Sequence, residues 1–155
     1  MNALDILKHC RSANHEIENI RQLIDRKRDI LSSLPTLNLD DTGGSHSKAD
    51  KDKIGQILSD IDLLEREIQN KEAERDAESI AAASFLDKLP AIESKILFEY
   101  YIKRWDTEKI AYKNNYTGGY VRKQKRVAER KMEFVEFENI KYLFPDWYIK
   151  GESAI

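Results

Sequence analysis

The chain has 155 residues, 41% hydrophobic and 35% charged, with a formal net charge of -2. That supports one buried core with an extended appendage rather than two large cores, and it leaves the distribution of charge, not its sum, to decide whether a polyanion could be a partner. The single Cys10 excludes an internal disulfide and any C-x-x-C zinc site, and no apolar run suits a signal sequence or a membrane span, so a soluble cytoplasmic protein without a membrane partner is expected.

From Ala3 to Leu34 the apolar positions Ala3, Ile6, Cys10, Ala13, Ile17, Ile20, Ile24, Leu31 and Leu34 recur every three or four residues, with Lys27 breaking the seam. The pattern predicts a heptad helix ended by Pro35. Asn38, Asp40, Asp41, Gly43, Gly44, Ser45 and Ser47 then predict a flexible polar loop over 36–49. A second stripe, Ile54, Ile57, Ile61, Leu64 and Ile68, follows an acidic lead-in at Asp50 and Asp52. Two striped helices joined by a loop predict an antiparallel hairpin, although the heptads satisfy an intermolecular bundle equally well. Lys71, Glu72, Glu74, Arg75, Asp76 and Glu78 predict a solvated helical link, because burying them carries a large desolvation cost.

The expected fold is all-α: a coiled-coil-like hairpin over 1–78, then a C-terminal helix-turn-helix domain over 79–155. Beyond the Ala-rich segment from Ile80, Pro90 suits the first turn of a new helix, whose inner face is read as Ile92, Ile96, Leu97 and Tyr101. Asp106 stands as the N-cap of a short helix over 107–113 carrying Ile110 and Ala111. Asn114 and Asn115 suit a turn, since Asn tolerates left-handed angles. Thr117 caps a longer helix with Val121, Ala128 and Met132 inward. The aromatics of this half are read as core, except Tyr120 on the outward side before Val121, and the tail residues from Phe134 to Tyr148 as packing back, in a helix that ends before Pro145.

A short helix, a tight turn and a longer capped helix are the parts of a helix-turn-helix. Between Lys103 and Met132 ten basic residues stand against three acidic ones, a local balance of +7, which suits a phosphate-binding surface. The candidate contacts to double-stranded DNA are Lys113, Thr117, Gly118, Gly119, Tyr120, Arg122, Lys123, Lys125, Arg126 and Arg130. The glycines permit close backbone approach to phosphate, an arginine in the groove can pair with guanine, and lysines neutralise phosphates.

The run Leu89-Pro90, Ile96-Leu97, Tyr101-Ile102, Ile110-Ala111, Tyr116-Thr117, Val121, Ala128 and Met132 resembles region 4 of sigma-70-type factors. The whole layout is similar to phage and prophage transcriptional regulators of the ArpU and RinA type. The resemblance implies a sequence-specific regulator of phage genes and leaves open a contact with RNA polymerase. Lys125 departs from it, standing where that pattern has an apolar residue.

Other chemistry has no residues to carry it. His9, Cys10 and His15 lack a further ligand at helical spacing, so no metal is expected. Asp40, Asp41, Gly43 and Gly44 are not followed by the Lys-Ser/Thr of a phosphate loop, and no nucleophile, base and acid converge, so neither a cofactor nor an enzymatic activity is expected. The alternatives to a regulator are a helical protein-interaction adaptor and a small terminase-like DNA-packaging subunit. A homodimer through the N-terminal helices would pair two reading heads.

Overall fold

The protein is all-α. A computed structural model describes residues 1–34 and 48–153, apart from the side chains at 48–50 and 152–153. The elements are α1 (Ala3–Ser33), α2 (Lys48–Leu86), α3 (Ala91–Leu97), a π-helical turn (Phe98–Ile102), α4 (Thr107–Asn114), α5 (Gly118–Glu133), α6 (Phe137–Ile140), a 3-10 turn (Lys141–Leu143) and α7 (Asp146–Ser153). Apart from the start of α2 at Lys48, the loop expected over 36–49 lies outside the described residues. No β-strand occurs among the described residues, and none of their helices is long and apolar enough to cross a membrane.

The chain forms two compact units, one of residues 15–72 and the other of residues 1–14 together with 73–155. This differs from a division at residue 78. The first two turns of α1 bury Ala3, Leu4, Ile6 and Leu7, apolar on both sides of the heptad seam, in the same core as Phe85, Leu97, Met132 and Tyr148. A helix that needs a sheath on two sides belongs to a globular core rather than to a two-helix seam.

In the unit of residues 15–72, Ile24, Ile57 and Ile61 form the buried centre, flanked by Ile20, Leu31, Leu34, Leu64 and Ile68. Arg21 pairs with Glu72 at 2.7 Å and Arg28 with Glu65 at 2.8 Å. Partners in α2 descend as α1 ascends, so the two helices run antiparallel here. Lys27, the break in the seam, meets Asp60 at 3.4 Å, which keeps a half-buried charge compensated.

In the other unit Glu78 departs from the reading of a solvated link. Glu78 is only 1% exposed, at the centre of a polar cluster. His9 Nδ1 lies 2.7 Å from its carboxylate, the Tyr148 hydroxyl donates to Oε1 at 2.8 Å, and the Cys10 thiol points at Oε2 at 3.8 Å. These contacts replace hydration that burial removes. Burial, together with the charge of Glu78, pushes the Cys10 thiol up to about 12.

Two further expectations change. Ile92 is exposed, because seven-residue α3 turns Glu93, Ile96 and Leu97 inward instead; Lys131 of α5 neutralises Glu93 at 2.8 Å. The tail is not one helix ending before Pro145: α6 and the 3-10 turn precede that proline, and α7 follows it. Ile140, Phe144 and Tyr148 pack into the core, with the last two rings stacked 4.6 Å apart. Phe134, Tyr142 and Trp147, expected to pack back with them, are exposed; Phe134, at the C-cap of α5, is 84% exposed. Backbone bonds from Ala3 N–H to Val135 C=O (2.8 Å) and from Phe137 N–H to Met1 C=O (3.1 Å) tie the start of α1 to the exit of α5.

Candidate nucleic-acid interface

The interface is built on α4 and α5, each started by a side-chain cap. The Asp106 carboxylate accepts from Lys109 N–H at 2.7 Å, and the Thr117 hydroxyl accepts from Tyr120 N–H at 3.2 Å. Each cap satisfies a donor that the first helical turn leaves open. Between the helices Asn115 adopts a left-handed φ of 58°, and Tyr116 N–H bonds back to Ala111 C=O at 2.9 Å. Asn114 instead holds α4 to the π-helical turn, donating from Nδ2 to the buried Glu99 carboxylate at 2.9 Å. Beneath the turn Ile96, Ile110, Ala111 and Val121 form one buried cluster, with Tyr100, Trp105 and Tyr116 packed against it. The small Ala111 lets α4 and α5 approach closely.

This packing fixes the faces of α5. Val121, Ala128 and Met132 are buried. Arg122, Lys123, Arg126 and Arg130 are exposed, and no carboxylate pairs with any of them among the described residues. Lys113 ends α4 exposed and likewise unpaired with an acid. Thr117 is exposed, and its hydroxyl is occupied as the cap.

Lys125 stands apart from the other candidates. Its ammonium lies 2.7 Å from Glu129 and 4.2 Å from the centroid of the Tyr100 ring. The aliphatic stem fills the place an apolar residue would take, and the charge is compensated internally. Tyr120 is half-buried with its ring 5.0 Å from that of Tyr116, leaving only part of it to face outward. Tyr112, read as core, is 81% exposed on α4; only its position among the faces of a short helix distinguishes it from its buried neighbours.

Neither glycine at the head of α5 is demanded by the fold. Neither has a positive φ. A Cβ at Gly119 would meet nothing within 4 Å, and one at Gly118 would meet only the movable end of Arg122, at 3.1 Å. The entry to α4 also carries charge: Lys103 before the helix and Lys109 in its first turn lie 4.7 and 4.8 Å from the Trp105 ring centroid. Trp105 thus gathers two ammonium groups beside the N-terminus of α4.

The fold and this site define an all-α protein with an exposed cationic helix face over a small apolar core. No family model, curated protein or solved structure matches the chain.

Proposed function

We propose that the chain is a sequence-specific DNA-binding transcriptional regulator, with α4 and α5 acting as a helix-turn-helix and α5 lying in the major groove. The observation that carries this reading is the contrast on α5. Arg122, Lys123 and Arg126 project outward without acid partners, while Lys125 and Lys131 are compensated internally by Glu129 and Glu93. Uncompensated cations on one rigid face offer net attraction to a polyanion; a merely solvated basic face is commonly interleaved with acids. Gly118 and Gly119 support the same reading, since side chains absent for no internal reason leave the backbone N–H groups of α5 accessible to a phosphate.

In this arrangement Arg122 and Arg126 reach base edges, and Lys113, Lys123 and Arg130 neutralise phosphates. The resemblance to phage and prophage regulators supplies the expected targets, genes of a phage. A homodimer would present two copies of α5 to paired half-sites. Leu23, Ile30, Leu58 and Leu63, exposed in the unit of residues 15–72, support pairing through the N-terminal helices. Selection of bound fragments from a random duplex pool tests the proposal: enrichment of one motif is expected. Recovery of an unselected pool, or no binding at low salt, refutes it.

A further inference from the structure

A second cationic concavity lies beside the α5 face and involves α1. About 460 Å³ in volume, it is lined by Lys8, Arg11, Ser12, Tyr100, Tyr101 and Lys125. The Arg11 guanidinium stands 3.8 Å over the Tyr100 ring, the ring that Lys125 also meets. Through Nη1 it donates to the carbonyl oxygens of Tyr100 and Trp105, which leaves its Nε and Nη2 N–H groups without a partner among the described residues. Its partners are neutral, so its charge is not compensated. Lys8 is exposed and has no carboxylate partner among the described residues. No acid lines this hollow among the described residues; Glu129 beside it is held by Lys125 and by the Tyr101 hydroxyl, each at 2.7 Å.

Arg104 is pushed below the usual guanidinium range by burial first and then by Arg75 and Arg11, while Arg75 is itself paired with Asp76 at 3.2 Å. Lys125 also lines a smaller concavity of about 230 Å³, with Thr107, Arg122, Arg126 and Glu129. The two hollows therefore meet at the compensated Lys125–Glu129 pair, and a band of cations runs past it, from Lys8 and Arg11 of α1 to Arg122 and Arg126 of α5.

We infer that this band is a track for the phosphate backbone of a duplex, in which Lys8 and Arg11 of α1 hold phosphodiesters flanking the groove that α5 occupies. The inference rests on the proposed function for the identity of the ligand and extends the interface to a helix outside the helix-turn-helix. An open hollow lined by fixed cations, without an enclosing ring of N–H donors, suits a repeating anion passing along a surface better than a single captured one. Arg11 is already anchored by two carbonyl groups, so little side-chain freedom is lost when its remaining donors meet phosphate.

The test measures binding of the full-length chain to a duplex of about 25 base pairs by fluorescence anisotropy, between about 50 and 200 mM KCl. Lys8→Ala should weaken binding several-fold at the low end, equally for every duplex, and reduce the slope of log affinity against log salt by about 0.9, the loss of one phosphate contact. Lys8→Glu should weaken it further, and Lys150→Ala, on α7, should change neither quantity. Should the wild type bind while both Lys8 variants match Lys150→Ala, the track is refuted and the proposed function stands. Failure of the wild type to bind any duplex ends both. Calorimetric titration with inorganic phosphate separates the remaining source: saturable binding lost in Lys8→Ala, with duplex affinity unaltered, assigns the hollow to a free phosphate ligand and overturns the backbone track.

Discussion

The Tyr148 hydroxyl donates a 2.8 Å hydrogen bond to the buried Glu78 carboxylate, joining α7 to the C-terminal part of α2 across 70 residues of sequence. A hydrogen bond to a buried charge contributes about 1.5 to 3 kcal/mol. Tyr148→Phe should therefore lower unfolding free energy by about that amount, read from the urea midpoint at unchanged slope. A midpoint equal to wild type would mean that water or His9 satisfies Glu78 alone.

The caps and the turn of the α4–α5 pair should respond independently. Asp106→Ala and Thr117→Ala should each cost about 1 kcal/mol, since each strands a helix N–H donor. Asn115→Val should cost about 1 to 2 kcal/mol by forcing a β-branched residue into a left-handed conformation, while Asn115→Gly should be close to neutral. Thermal unfolding of the four variants checks the ranking.

On α5 the outward and inward cations should separate by assay. Arg122→Ala combined with Arg126→Ala should abolish selective duplex binding with little change in melting temperature. Lys125→Ala should do the reverse, because its charge already serves Glu129 and the Tyr100 ring. Paired anisotropy and melting curves decide it. Equal loss of DNA affinity in both variants would place Lys125 in the interface after all.

The buried thiol gives an alkaline signature. Cys10 is raised from 9.0 to about 12 by burial first and then by the Glu78 charge, so the folded state keeps its proton where the unfolded thiol has lost it. The associated stability is fully present below pH 9 and is lost between about pH 9 and 12. Tyr101 is raised also, by burial and then by its bond to Glu129, and steepens the same alkaline limb. Cys10→Ala should flatten the fall in urea midpoint above pH 9. At pH 8 iodoacetamide should alkylate the folded chain about a thousandfold more slowly than the urea-unfolded chain, from thiolate scarcity alone, and more slowly still because the thiol is covered.

The heptad stripes of α1 and α2 and the caps at Asp106 and Thr117 were legible because each depends on neighbours three or four residues away. The same holds for the turn at Asn115 and the inward set Val121, Ala128 and Met132. The surface side chains of α5 were legible as a group, through local charge and helical period, but their individual fates were not. Lys125 and Arg126 are adjacent cations of similar size, and the first is drawn inward by Glu129 one turn on and by the ring of Tyr100 in the middle of the π-helical turn.

Sequence by itself thus determined the helices up to Glu133, the capped starts of α4 and α5 and the existence of a cationic face, all matters of short-range geometry and hydrogen bonding. Tertiary structure alone decided that Glu78 is buried, that Ile92 and Tyr112 are not, and that the first turns of α1 belong with the C-terminal core. The physical reason is that the cost of burying a charge, or of exposing a ring, is set by partners remote in sequence. Glu78 is buried because His9, Cys10 and Tyr148 converge on it from two other helices.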